Sequence, residues 1–177
     1  MPALDFESIL SDSSRSLADY AAMTVGDDPK LLKQVFDLSL LQKKQVSMRA
    51  ARVFDLCCER NPGFVRPWLK KIVRELPKLK DNSVKRIFLH ILVRHPWVDD
   101  EVGMGRLIDT LFRWLSDDAQ PIAVKAYSLS ILENLSTLYP EFRNELILTL
   151  EESIPFWESA ALQSHGRKML KKLTRAR

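Results

Sequence analysis

"AVKAYSLSILENLSTLYP", residues 123–140, reads as one long helix. Val124, Tyr127, Ile131, Leu135 and Leu138 form an apolar stripe at helical spacing, and Ile122, Leu129 and Leu132 widen it. A stripe that wide suits a helix with neighbours on more than one side. The same shape occurs upstream as "SVKRIFLHILVRHP" (83–96) and again as "SMRAARVFDLCCERNP" (47–62). Met48-Arg49-Ala50, Val84-Lys85-Arg86 and Val124-Lys125-Ala126 are matching triplets, 36 and 40 residues apart. "SHGRKMLKKL" offers a weaker fourth copy, with Arg167-Lys168-Met169 about 43 residues beyond the third.

Start and stop signals divide the rest of the chain. Asp28 is a candidate N-cap with Pro29 at the first helical position, where a missing N–H costs nothing, and Pro121 offers the same role. Asp99, Asp100 and Glu101 suit a helix N-terminus. Pro62, Pro96, Pro140 and Pro155 each stand where an apolar pattern ends. These signals predict helices near 12–25, 29–41, 44–60, 64–79, 82–95, 99–116, 121–138, 141–153 and 158–174, and no strand.

A period near 40 with two helices per unit means an α-solenoid, in which each helix pair becomes its neighbour's core. The hydrophobic–basic–small triplets, over roughly residues 44 to 173, resemble the HEAT and armadillo-like families. Arg86 departs from the pattern, which expects a small residue there. The resemblance implies an all-α fold, a right-handed α-solenoid of about four HEAT-like antiparallel helix pairs. One domain over 1–177 is expected, with units at 12–41, 44–80, 82–118 and 121–157 and a terminal helix at 158–174. In the triplets, the apolar residues Met48, Val84 and Val124 should be equivalent and buried. The small residue should press against a partner helix, and the basic one should keep its charge in water. Ala126 is therefore expected to face inward and Lys125 outward.

Composition agrees with a helical, globular chain. The 177 residues are 46% apolar and 28% charged, with only five glycines, too few for a turn-rich β fold. No segment approaches the ~18 apolar residues of a membrane span, and the acidic N-terminus does not read as a secretory signal. The two cysteines, Cys57 and Cys58, are adjacent and cannot staple distant segments, so a reduced, cytoplasmic protein is expected.

Candidate chemistry is sparse. His90 lies among Phe88, Leu89, Ile91 and Leu92 and reads as a half-buried packing residue. His95 precedes Pro96 at a helix end, and His165 stands in a basic helix start. None has a carboxylate or cysteine at ligand spacing along the chain, so no metal and no cofactor is expected. Gly103 and Gly105 lack the preceding strand and third glycine of a phosphate loop. Adjacent cysteines on a helix point about 100° apart, which suits core packing better than a redox pair. Core packing is also the first reading of Trp68, Trp97, Trp114 and Trp157. HEAT-like DNA glycosylases set aromatics, an Asp and an Arg around a damaged base. "HPWVDDE" (Trp97, Asp99, Asp100) and "FRWLSDD" (Arg113, Trp114, Asp117) hold those residue types, although both Asp pairs serve equally as helix caps.

Charge is the best functional clue. Residues 1–41 carry −4, residues 42–94 carry +10, residues 95–160 carry −8 and residues 161–177 carry +6. Arg66, Lys70, Lys71, Arg74, Lys78, Lys80, Lys85 and Arg86 fall within 21 residues. Lys70, Arg74 and Lys78 follow at i, i+4, i+8, one face of a helix. The expected function is a non-enzymatic protein-interaction scaffold that binds an acidic protein partner through this face. A nucleic-acid-binding module is the alternative, with a glycosylase-like repair protein as its extreme. No membrane partner is expected, and the sequence is silent on oligomeric state.

Overall fold

The computed structural model describes residues 6, 10–95 and 101–175. Nine α-helices have defined bounds among them, and no described residue is in a strand. Helix α1 is Arg15–Val25, with the Ser14 hydroxyl accepting the Leu17 N–H, and it ends at Gly26, whose φ of 49° suits a residue without Cβ. Helix α2 is Pro29–Leu40. As expected, Asp28 caps it, accepting from the N–H groups of Lys30 and Leu31. Helix α3 is Lys44–Arg60.

The helix expected over 64–79 is broken. Turns of 3₁₀ helix at Pro62–Phe64 and Arg66–Trp68 lead into a short α4, Leu69–Glu75, and a third turn, Leu76–Lys78, leaves it. Pro67 and Pro77 lack the N–H that a continuous α-helix would use, so the chain tightens around them. Helices α5 (Asn82–Arg94), α6 (Glu101–Ser116), α7 (Ile122–Leu138), α8 (Arg143–Ser153) and α9 (Ala160–Arg175) follow. Pro121 stands at the N-cap of α7 rather than inside it. Pro96, Trp97, Asp99 and Asp100 lie outside the described residues.

The chain divides into two compact units, Met1–Ile91 and Leu92–Arg177. In the first, α3 packs against both α1 and α2. Four aromatic side chains from four elements meet there. Phe36 of α2 lies 5.2 Å from Phe54 of α3, 4.6 Å from Trp68 and 5.8 Å from Phe88 of α5, centroid to centroid. In the second unit, α7 packs against both α6 and α9, and α9 also reaches α8. Gly166 lets α9 lie close against the turn that follows α8. A Cβ there would lie 2.7 Å from Cζ3 of the buried Trp157 and 2.9 Å from Cγ1 of Ile154. Lys172 of α9 also pairs with Glu133 of α7 at 2.7 Å.

Helices α3, α5 and α7 are written in one register, but not the one the triplets suggest. The first-turn bonds Ser47 N–H to Lys43 O, Lys85 N–H to Asp81 O and Lys125 N–H to Pro121 O are equivalent. Counted from them, the buried positions coincide: Ser47, Lys85 and Lys125; Ala50, Phe88 and Ser128; Ala51, Leu89 and Leu129; Val53, Ile91 and Ile131; Phe54, Leu92 and Leu132. The spacings are therefore 38 and 40, and Val46, not Met48, matches Val84 and Val124. Met48 is only half-buried. In α9 the bond from Gln163 N–H to Ser159 O places Leu162, not Arg167, at the equivalent position, and Arg167 and Lys168 are exposed.

The facing of the triplet is also corrected. Lys125 is 5% exposed and Lys85 8%, whereas Ala126 is half-buried and Arg86 exposed. The basic member lies inside, its stem packed. Lys125 Nζ reaches the Asp118 carboxylate at the rim, 3.4 Å away. Arg86 needs no small residue because its position faces water. Buried hydroxyls on the same helix are satisfied locally, Ser128 donating to Val124 O and Ser136 to Glu133 O. Ile122 and Leu138, read as part of the stripe, are exposed at the two ends of α7.

Candidate functional site

The basic segment is anchored from inside the first unit. Trp68 sits in the aromatic cluster, 5.7 Å from Phe54, and so ties the start of α4 to the core. Lys71 Nζ lies 4.6 Å from the centre of its ring, a cation–π contact. At the other end, Asp81 caps α5 by accepting the N–H groups of Ser83 and Val84. Gln42 stands in the left-handed region, φ 55°, and its side-chain carbonyl accepts the Lys80 N–H at 3.1 Å. Both ends of the segment are thereby fixed.

Within and beside this segment, all but two of the basic residues singled out from the sequence are exposed. Arg66, Lys70, Arg74, Lys78, Lys80 and Arg86 are exposed, and Lys71 is half-buried beside Trp68. Lys85 is buried and drops out of the face, because it occupies the inward position of α5. Lys78 lies in the 3₁₀ turn rather than in α4, so helical spacing does not place it beside Arg74. Glu75 does: Arg74 Nε and Lys78 Nζ each donate to its carboxylate at 2.9 Å. The hydrogen bond from Lys78, and after it that from Arg74, holds the Glu75 carboxyl below its usual range. One carboxylate thus gathers two cations and leaves the face in positive excess.

Of the residue types of a glycosylase, the described ones have other surroundings. Trp114 is 5% exposed and offers no face for a base, while Arg113 is exposed. Asp117 accepts from Ala119 N–H and from Gln120 Nε2, the work of a turn residue. Trp97, Asp99 and Asp100 lie outside the described residues. Gly105 is not a close-contact glycine either, for a Cβ there would meet nothing within 4 Å.

Cys57 and Cys58 are buried thiols. Burial pushes the Cys57 thiol up to about 11, so at neutral pH it is protonated and a poor nucleophile. An aromatic disulfide reagent is expected to react with both thiols in guanidinium and at least about a hundredfold more slowly in the native protein. Rapid native labelling would show that α3 opens locally.

Sequence reasoning missed one constellation. No carboxylate stands at ligand spacing from a histidine along the chain, but the fold supplies two. Asp55 and Glu59, one turn apart on α3, meet His90 of α5, and one ligand atom from each lies within 4.8 Å of the others. His90 Nδ1 is 3.1 Å from Asp55 Oδ2. The only trace in the sequence is the i, i+4 pair of acids in an otherwise basic segment. The packing of α3 near α5, which completes the cluster, is a long-range contact.

These helices, with their repeated inward pattern, define an all-helical repeat protein. The chain matches the HEAT repeat domain family over residues 8–173, and it belongs to that family. No curated protein and no solved structure matches it. HEAT repeats are commonly protein-interaction scaffolds and generally non-catalytic. Among the described residues no helix is long and apolar enough to cross a membrane.

Proposed function

We propose that the protein is a non-enzymatic interaction scaffold whose basic face, Arg66, Lys70, Lys71, Arg74, Lys78, Lys80 and Arg86, binds an acidic segment of a partner protein. The observation that carries this reading is the exposure of six of these cations on a segment anchored at both ends. A fixed array of charge is what electrostatic complementarity needs, since little ordering is required on binding. In this reading the chain is one array, a right-handed solenoid of about four antiparallel pairs, and α4 is the outer helix of the second pair. A cytoplasmic setting fits the buried thiols.

Nucleic acid is the second reading, because the same cations suit phosphates. Single strands fit poorly: the one aromatic within the face, Trp68, is packed in the core and covered by Lys71. Replacing Lys70, Arg74 and Lys78 together by Glu is expected to abolish binding of an acidic peptide while changing stability by less than about 1 kcal/mol, since all three are exposed. Fluorescence anisotropy with a poly-acidic peptide and with random duplex DNA separates the readings. Steep loss of duplex binding between about 50 and 200 mM salt would favour nucleic acid. Equal peptide affinity of the triple variant and the parent would overturn the basic-face proposal.

A further inference from the structure

We propose that Asp55, Glu59 and His90 form a binding site for a single zinc-like divalent transition-metal ion. The argument begins with donor chemistry. One imidazole nitrogen and two carboxylates suit Zn²⁺ and its neighbours in the first transition row, whereas Ca²⁺ and Mg²⁺ prefer all-oxygen shells. Three protein ligands with an open fourth position are a common zinc arrangement.

Geometry supports the assignment. Ligand atoms about 2.1 Å from a tetrahedral ion are separated by about 3.4 Å. His90 Nδ1 and Asp55 Oδ2, hydrogen-bonded at 3.1 Å, need part only slightly to reach that separation. Glu59 completes the triangle within 4.8 Å, and it is exposed, so rotation of its flexible side chain can close the remaining gap. The frame is stiff where it must be. Asp55 and His90 are half-buried on α3 and α5, whose adjoining residues Phe54, Leu89 and Ile91 are fully buried. The open side at Glu59 gives the ion a path in.

Isothermal titration of the full chain with ZnCl₂ in a non-chelating buffer at neutral pH tests the site. One Zn²⁺ per chain is expected, with a thermal upshift, and excess Mg²⁺ should not compete. His90→Gln and Glu59→Gln should each weaken Zn²⁺ at least about tenfold. His165→Gln, at a histidine that is not part of the cluster, should leave it unchanged. Cobalt substitution adds a second readout, since the visible absorption of bound Co²⁺ should vanish in His90→Gln. Glu59 is exposed, so its variant keeps the test alive if His90→Gln folds poorly. No binding at about 100 μM Zn²⁺ would overturn the proposal. So would equal affinity of Glu59→Gln and the parent, or loss of the ion from a Cys57→Ser variant instead. The three side chains would then be a polar cluster only.

Discussion

Phe54→Ala is expected to lower stability by about 3–5 kcal/mol, the usual cost of truncating a fully buried aromatic. Phe54 is fully buried on α3. Its ring touches Phe36 of α2 at 5.2 Å, Trp68 at 5.7 Å and Phe88 of α5 at 6.5 Å. Tilted and edge-on contacts of this kind contribute beyond the area they bury, about 0.5–1.5 kcal/mol each. The cavity left by alanine would be lined by rings held from three other elements, so collapse of any one wall is opposed by the others. Phe156 in the second unit is the matched control, for it is 79% exposed, and Phe156→Ala should cost less than about 0.5 kcal/mol. Urea melts followed by fluorescence and by circular dichroism measure both. A loss below about 1 kcal/mol for Phe54→Ala would mean that the rings are loosely packed and that something else joins α2, α3 and α5. Because Trp68 is part of the cluster and also anchors α4, the same substitution should loosen the basic face and weaken peptide binding at sub-denaturing urea.

The helices were legible because their signals are local. Asp28 with Pro29 marks a start that the backbone confirms, and the prolines at 62 and 140 mark stops. The break in 64–79 was also written in the sequence, at Pro67 and Pro77, but a proline near a helix end and one that tightens the chain into 3₁₀ turns look alike without the neighbours. Register was harder. Met48-Arg49-Ala50 imitates the later triplets, and the residue that truly matches Lys85 and Lys125 is Ser47, small, polar and buried. What holds Ser47 inside is a hydrogen bond from its hydroxyl to Leu38 O, on the preceding helix. Likewise Lys85 and Arg86 are two adjacent cations in the sequence, and only packing makes one of them core and the other surface. The density of cations over 66–86 was readable in the sequence, and six of them are exposed. The Asp55–Glu59–His90 cluster was not, because His90 lies 31 residues beyond Glu59, on another helix.

Lys125→Glu is expected to cost about 3 kcal/mol or more, and Ala126→Arg about 1 kcal/mol or less, which is the reverse of what the triplet alone suggests. Lys125 keeps its stem among buried neighbours, with the side chain 7% exposed, and brings its charge out only far enough to reach Asp118 at 3.4 Å. Glutamate there is too short to reach water by the same route, and it would face a carboxylate instead of pairing with one. Asp118 itself is 90% exposed, so it loses little when its partner goes, and the destabilisation belongs to position 125. Lys125→Met should therefore cost under about 1.5 kcal/mol, since methionine keeps most of the stem's volume and removes the need to hold a charge at the rim. Ala126 is half-buried, and a long arginine can carry its guanidinium into solvent along the helix surface. Denaturant melts of the three variants rank them directly. If Ala126→Arg were the most damaging, the inward face of α7 would lie one residue further along, and the shared register of Ser47, Lys85 and Lys125 would be wrong with it.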